Sequence, residues 1–242
     1  MRLLIVRHAD PDYSIDSLTP AGWEEAKLLA DRLAPIPVAA YYVSPLGRAK
    51  DTASLTLKTA CRPSDPCSCL REFAPRAVHP GKDSGHCVWD WLPDAWMAEP
   101  KYFDKDHWHE TEVFRNAHVK EEYDWVTGEL DRLLSQHGYE RNGLFYRAVA
   151  PNEDTIVLFC HFGVECVLLS HLLNISPMQL WHGTCAAPSS VTVLYTEERR
   201  SGVASFRMSR FGDVSHLYAG GREPSFAARF CEVYTRFDQR HD

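Results

Sequence analysis

The chain has 242 residues, 45% of them hydrophobic and 24% charged, the balance of one large globular domain rather than of a disordered, collagen-like or coiled-coil chain. Against 33 Asp and Glu stand 26 Lys and Arg, a net charge of -7, the wrong sign for a protein whose main partner is nucleic acid or an anionic membrane. Any anionic substrate therefore needs a local cluster of cations.

The opening run Leu3-Leu4-Ile5-Val6 is wholly apolar, as a strand buried on both faces must be. Arg7 cuts it short of the roughly 7 to 15 apolar residues of a signal peptide. Thr19-Pro20 reads as an N-cap with proline at the first helical position, and Trp23, Ala26, Leu29, Ala30 and Leu33 give that helix one apolar face up to about Pro35. Ala40 to Val43 reads as a second strand, and Ser44-Pro45 repeats the cap-then-proline signal before a helix to about Thr59. From Phe73 to about Asn116 the periodicity fails. This stretch carries Trp89, Trp91, Trp96 and Trp108 and several prolines, and reads as an aromatic-rich inserted lid, its aromatics either stacking on an apolar part of the substrate or, as the more ordinary reading, forming a tryptophan-stapled mini-core over the sheet edge.

Regular structure resumes with a helix from about His118 to Gln136, whose Tyr123, Val126, Leu130, Leu133 and Leu134 share a face. Thr155 to Cys160 is another buried strand, followed by a helix bearing Val164, Val167, Leu168, His171 and Leu172. Val191 to Tyr195 and Val203 to Met208 close the chain as strands around Ser201-Gly202. The alternation predicts an α/β fold: one domain over 1–242, a mainly parallel sheet with helices on both faces, and an inserted lid at about 73–116. No run approaches the ~18 apolar residues of a membrane span. With no export signal, the expected location is the cytoplasm, with the eight cysteines as reduced thiols.

Three polar clusters fall at strand ends: Arg7-His8, Ser44 to Arg48, and His161. In an open α/β sheet ligands bind at the carboxyl ends of the strands, so these groups are expected to converge. Two arginines, two histidines and two helix N-termini suit a phosphoryl group. Each pair alone more often marks an ordinary strand end; the repetition carries the argument. Two metal readings are weaker. Cys61, Cys67 and Cys69 lack the spacing of a zinc site, and His107-Trp108-His109-Glu110 lacks a third ligand.

Arg7-His8-Ala9 resembles the Arg-His-Gly signature of the histidine phosphatase superfamily, also called the phosphoglycerate mutase-like family. Leu18-Thr19-Pro20-Ala21-Gly22 is similar to its Leu-Thr-x-x-Gly segment, and Ser44 to Ala53 to its Ser-x-x-x-Arg-Ala-x-x-Thr-Ala box. Leu70-Arg71-Glu72 fits its Leu-x-Glu, Cys160-His161-Phe162-Gly163 its second histidine, and Asp213 through Leu217 the ending of some phosphatase members. The matches run in the family's order across nearly the whole chain outside the insert. Ala9 stands where glycine is usual, which is acceptable if its φ is negative.

The resemblance implies that His8 is the nucleophile and forms a phosphohistidine, with its other ring nitrogen donating to a fixed acceptor, expected to be a backbone carbonyl. Arg7, Arg48 and His161 are then the phosphate clamp, and Glu72 the general acid and base. Arg71 and Arg76 are the alternative partners for that carboxylate. Asp10, read first as a cap on the following turn, and Ser14, Thr19, Thr52 and His216 are secondary candidates. No cofactor or metal is called for, because arginines supply the charge. Mutase members carry a Tyr-Gly-x-Leu-x-Gly-Leu-Asn-Lys segment soon after the acid, where this chain has Phe73-Ala74-Pro75-Arg76. Hydrolysis of a small phosphorylated metabolite is therefore favoured; the alternatives are mutase-type transfer, a protein phosphatase and a non-catalytic scaffold. Lys82, Arg115, His79 and His86 are candidates for a second anionic group of the substrate. Oligomeric state has no signature in the sequence.

Overall fold

The computed structural model describes residues 1–79, 81–226 and 230–241. Strand β1 (Arg2–Arg7) leads through a short ladder, β2 (Pro11–Asp12) with β3 (Ser17–Leu18), into α1 (Pro20–Leu33), β4 (Ala40–Val43), α2 (Gly47–Ala60) and β5 (Asp65–Pro66). The insert holds the hairpin β6 (Arg76–Val78) and β7 (Gly85–Cys87) and two short helices, α3 (Pro93–Trp96) and α4 (Glu112–Asn116). Then come α5 (Val119–Gln136), the hairpin β8 (Tyr139–Asn142) and β9 (Phe145–Ala148), β10 (Thr155–Cys160), α6 (Phe162–Leu173) and α7 (Pro177–Gly183). A long hairpin, β11 (Val191–Arg200) with β12 (Val203–Asp213), and α8 (Ser215–Ala219) follow.

Eight strands form one sheet in the order β5-β4-β10-β1-β11-β12-β9-β8. The expected mainly parallel sheet is mixed. From β5 to β1 all neighbours run parallel; from β1 onward every pair is antiparallel, because hairpins replace helical crossovers there. The β8–β9 hairpin escaped the sequence reading, since its strands lie half exposed with charged residues such as Glu140 and Arg147.

The period of two along a strand divides the core. Leu4, Val6, Val157 and Phe159 face α1 and α2, packing with Leu29, Leu33 and Ala53. Leu3, Ile5, Ile156 and Leu158 face the other way, into a larger core with α5, α6 and α7. Each such side chain contributes about 1.5–3 kcal/mol of burial, and this two-sided support makes β1 and β10 a rigid base for the loops that follow them. Trp91, Trp96, Tyr102, Trp108 and Phe114 of the insert belong to the same larger core, with Trp108 in edge contact with Trp181 of α7. Among the insert's tryptophans Trp89 alone is half-buried.

Two local expectations need correction. Trp23 is 37% exposed, and the buried face of α1 takes Glu25 instead, whose carboxylate accepts the Asp10 and Ser225 N–H groups. Ser44-Pro45 is not the start of α2: the helix begins at Gly47, because the Ser44 hydroxyl is engaged by His161. The first helical N–H, that of Gly47, is capped from a distance by Asp16 at 2.6 Å. At α1 the reading matches the structure, with the Thr19 side chain accepting from Gly22 N–H and Pro20 at the first position.

Candidate active site

Because β4, β10 and β1 are parallel neighbours, their carboxyl ends emerge at one edge, with Arg7 in register with Cys160 and Val43 with Phe159. The ladder continues one residue further, as His8 N–H donates to Cys160 C=O and Ser44 N–H to Phe159 C=O. His8 and His161 therefore stand side by side, ring centroids 5.1 Å apart. Residues more than 150 positions apart in the chain are brought into contact by strand register alone.

His8 is fully buried. A carbonyl only accepts, so the 2.8 Å contact to Ala9 C=O fixes the proton on Nδ1 and leaves the lone pair on Nε2. Burial, then the Arg7 charge, pushes the His8 pKa well below its ordinary value of 6.5, so the ring is neutral at pH 7. His161 bonds Ser44 Oγ through Nε2 at 2.7 Å, while its buried Nδ1 has no partner among the described residues. Burial and the neighbouring His8 lower its pKa in the same way. Ala9 does not have a positive φ, so the missing glycine leaves no backbone strain.

The charge of the site comes from two guanidinium groups. Arg7 is buried, donates to Ala186 C=O, and lies 5.5 Å from the centroid of the Phe162 ring. Arg48 extends from the first turn of α2, with its Nη1 on Asp16 Oδ1 at 2.5 Å and its guanidinium 5.4 Å from the Tyr13 ring centroid. Across from them Glu72 Oε1 accepts the N–H groups of Phe73 and Val164, at 2.8 and 3.1 Å. Burial raises the Glu72 pKa above the ordinary carboxyl value, outweighing the two backbone bonds and the two arginines that lower it. Neither Arg71 nor Arg76 pairs with it: the first goes to Glu122 and the second to Gly85 C=O. Gly163 makes this approach possible, since a Cβ there would lie 2.7 Å from both Glu72 Oε1 and Trp89 Nε1.

A model of the histidine phosphatase superfamily, branch 1, matches residues 3–208, a span that contains all of these groups. The chain belongs to that superfamily. Membership assigns this histidine phosphatase to the phosphoric monoester hydrolases. Its fold is shared by a phosphoserine phosphatase from Entamoeba histolytica solved with phosphoserine, at 18% identity and TM-score 0.57, covering 89% of this chain and 98% of the other. The same enzyme solved with 3-phosphoglyceric acid gives 16% identity and TM-score 0.58 over 89% and 98%. A mycobacterial glucosyl-3-phosphoglycerate phosphatase gives 19% and 0.58 over 87% and 98%. None of the curated proteins matches the chain.

The secondary candidates of this histidine phosphatase divide into supports and bystanders. Thr52 accepts Ala9 N–H at 2.9 Å and donates to Arg48 C=O, joining the loop after β1 to α2. His216 receives Arg32 Nη1 on Nδ1 and reaches Ser189 Oγ through Nε2 at 3.1 Å, while Ser189 N–H holds the His8 carbonyl. Asp10 is not the cap of the following turn. Its carboxylate joins Thr19 Oγ1 to Ser225 Oγ, and the capping is done by Asp12, which accepts both the N–H and the hydroxyl of exposed Ser14. Burial drives His79, stacked on Trp91 at 4.2 Å, down to about 4, so it is a neutral core residue rather than a cation for substrate. His86 packs 5.6 Å from His79, and Arg115 is exposed on α4. His107 pairs with Asp104 and His109 lies edge-on to Trp108; among the described residues no three His, Cys, Asp or Glu gather as a metal site. Among the described residues no helix is long and apolar enough to cross a membrane.

Two residues of the site, Asp16 and Glu165, escaped the sequence reading, and Trp89 figures in it only among the aromatics of the 73–116 stretch. Asp16 lies 32 positions from the arginine it holds, and no local pattern marks it. Glu165, in the first turn of α6, is wholly buried with Oε1 on Thr192 and Oε2 unpartnered, and its pKa is pushed up to about 7 by burial. A lone acid in an otherwise apolar helical run is the signal that points to it. Trp89 donates to Phe73 C=O at 3.2 Å and borders a cavity of about 590 Å³ whose other walls include Trp181, Cys185, Phe230 and Tyr234.

Proposed function

We propose that this chain hydrolyses a small phosphomonoester through a phosphohistidine on His8. The observation that carries the reading is the pairing of a neutral, tautomerically fixed His8 with a Glu72 that burial holds toward its protonated form. The substrate phosphoryl group lies between Arg7, Arg48 and His161, whose fixed donors meet the equatorial oxygens, where charge gathers in a loose transition state. His8 Nε2 forms the bond to phosphorus as the ester P–O bond breaks, and Glu72 gives its proton to the departing alkoxide. The Glu72 carboxylate then takes a proton from water, whose oxygen attacks phosphorus and breaks the P–N bond. Inorganic phosphate leaves, and His8 and Glu72 return to their starting forms.

The Ala9 carbonyl stabilises the positive charge that builds on the imidazole during both transfers. Arg48 must exchange Asp16 for substrate, so Asp16 keeps that guanidinium aimed while the site is empty. The phosphoserine, 3-phosphoglyceric acid and glucosyl-3-phosphoglycerate named for the structural relatives support a metabolite-sized substrate. Phosphate release from an aryl phosphomonoester in the presence of chelator, compared between native protein and His8→Ala, is the test. Release by the native protein that vanishes in the variant is the expected result; equal rates overturn the nucleophile.

A further inference from the structure

The segment that delivers Glu72 also carries two cysteines that the mechanism does not use. Cys67 precedes and Cys69 lies within a single 3-10 turn over Ser68–Leu70, and their sulfurs approach to 3.2 Å with only Ser68 between them. Cys67 is half-buried and reachable from solvent, whereas Cys69 is buried. We propose that Cys67 and Cys69 are a dithiol modification site, closed to a reversible disulfide by peroxide-class oxidants, and that closure displaces Glu72. The second half of this statement rests on the role given to Glu72 above; the first does not.

The direction of the chemistry follows from the contact. Either sulfur can donate in this contact, but Cys67 is the one that solvent reaches, and the contact together with the Cys69 and Leu70 N–H groups lowers the Cys67 pKa while that of buried Cys69 is raised. Cys67 is therefore the thiolate that attacks and Cys69 the resolving thiol. The Cys67 thiolate forms an S–O bond to one peroxide oxygen as the O–O bond breaks; the departing hydroxide is protonated to water and Cys67 becomes a sulfenic acid. The Cys69 sulfur then attacks the Cys67 sulfur, the S–O bond breaks, and the released hydroxide takes the Cys69 proton as a second water. The two thiols lose two electrons and two protons, and one peroxide is reduced to two waters.

Bonding requires the sulfurs to close from 3.2 Å to about 2.05 Å. The turn that must yield is tightly tied. Cys67 N–H bonds the Val43 carbonyl at the end of β4, Leu70 N–H bonds the Cys67 carbonyl, and Arg71 N–H that of Ser68. Leu70 is held in the core, so the strain falls on the bond from Arg71 N–H to the Ser68 carbonyl, and Glu72 is the residue next to Arg71. On the other side Val43 is followed by Ser44, which holds His161. A bridge over one intervening residue is also a small, readily reduced ring, the property of a regulatory rather than a structural disulfide.

The test treats the full chain with hydrogen peroxide, alkylates free thiols, and reads peptide masses and hydrolysis of an alkyl phosphomonoester. The peptide containing Cys67 and Cys69 is expected to lose two hydrogens and resist alkylation, to be restored by dithiothreitol, and to bridge before exposed Cys61 is oxidised. With Cys69→Ser, Cys67 stops as a sulfenic acid that a diketone probe traps; with Cys67→Ser, Cys69 stays reduced. Bridging is expected to lower kcat at least about tenfold, the signature of a misplaced general acid, with KM nearly unchanged. The kcat of Cys67→Ser should be insensitive to peroxide. Free, alkylatable Cys67 and Cys69 at doses that oxidise Cys61 overturn the site. A bridge that forms while kcat stays constant overturns the link to Glu72 alone. If the reduced protein hydrolyses no phosphomonoester, the proposed function fails and the masses still decide the site.

Discussion

The two sides of the site are built differently. The phosphoryl side is set on the ends of three parallel strands supported by core on both faces, and its groups are locked by backbone bonds: His8 by Ala9, Cys160 and Ser189, and Ser44 by Phe159. On the side proposed for the leaving group Glu72 follows an irregular turn, and Trp89, which shares with Glu72 the space beside Gly163, comes from the aperiodic stretch 73–116. Chemistry at phosphorus is the same for every phosphomonoester and rewards rigidity. The alcohol varies from substrate to substrate, and its surroundings are assembled from the least regular parts of the fold.

Glu72→Gln is the sharpest way to separate the sides. It is expected to lower kcat/KM on an alkyl ester by two to four orders of magnitude, yet by far less on a nitrophenyl ester, whose leaving group needs no proton. Equal losses on both esters would remove the acid role. The pH profile carries the same information. The raised Glu72 pKa places activity below that value and removes it as pH rises through it, while the lowered His8 pKa removes activity only as pH falls well below 6.5. The alkaline limb of kcat/KM should therefore appear on the alkyl ester and be absent on the nitrophenyl ester.

Arg7→Ala acts on the other side and is expected to cost about 10²–10³-fold in kcat/KM, alike for aryl and alkyl esters. A loss that depends on the alcohol would blur the division. Gly163→Ala brings the sides into conflict, because its methyl group would enter the 2.7 Å space shared by Glu72 and Trp89. A loss of about tenfold in kcat with alkyl esters is expected, from the displaced acid, and a fully active variant would show that neither group needs its observed place.

The last effect is one of stability rather than rate. Glu165 has a pKa of about 7 when folded, against 4.5 as the ordinary value. Between those values the folded state holds more protons than the unfolded one, so stability is complete below 4.5 and falls as pH rises through about 7. The loss is about 3 kcal/mol. Glu165→Gln should remove that decline, read from urea unfolding at acidic and mildly alkaline pH; an unchanged slope in the variant would place the ionisation elsewhere.

What the sequence discloses follows the same division. Arg7-His8, Ser44 to Thr52 and Cys160 to Gly163 adjoin buried apolar runs or a helix start, and local pattern suffices to place them at strand ends. Asp16, Trp89 and Glu165 are defined by partners tens of residues away, and local propensity carries no record of such contacts. The antiparallel half of the sheet was harder for a related reason: β8 and β9 are short, half-exposed and charged, so the apolar signal that marks β1 and β10 is missing. Ser44-Pro45 misled because a serine that resembles a cap was engaged in the site instead.

The position of β1 bears on the order of events during synthesis. The strand ending at Arg7 is made first, yet its neighbours in the sheet begin at Thr155 and Val191. Closing such long loops is slow, and it is impossible before the distant strands leave the ribosome. Until then Leu3 to Val6 is an unpaired apolar segment, open to chaperones and to aggregation. His8 therefore gains its neighbour His161 only after β10 has been made. A nascent chain stalled before residue 155 has no β10 with which to complete that assembly.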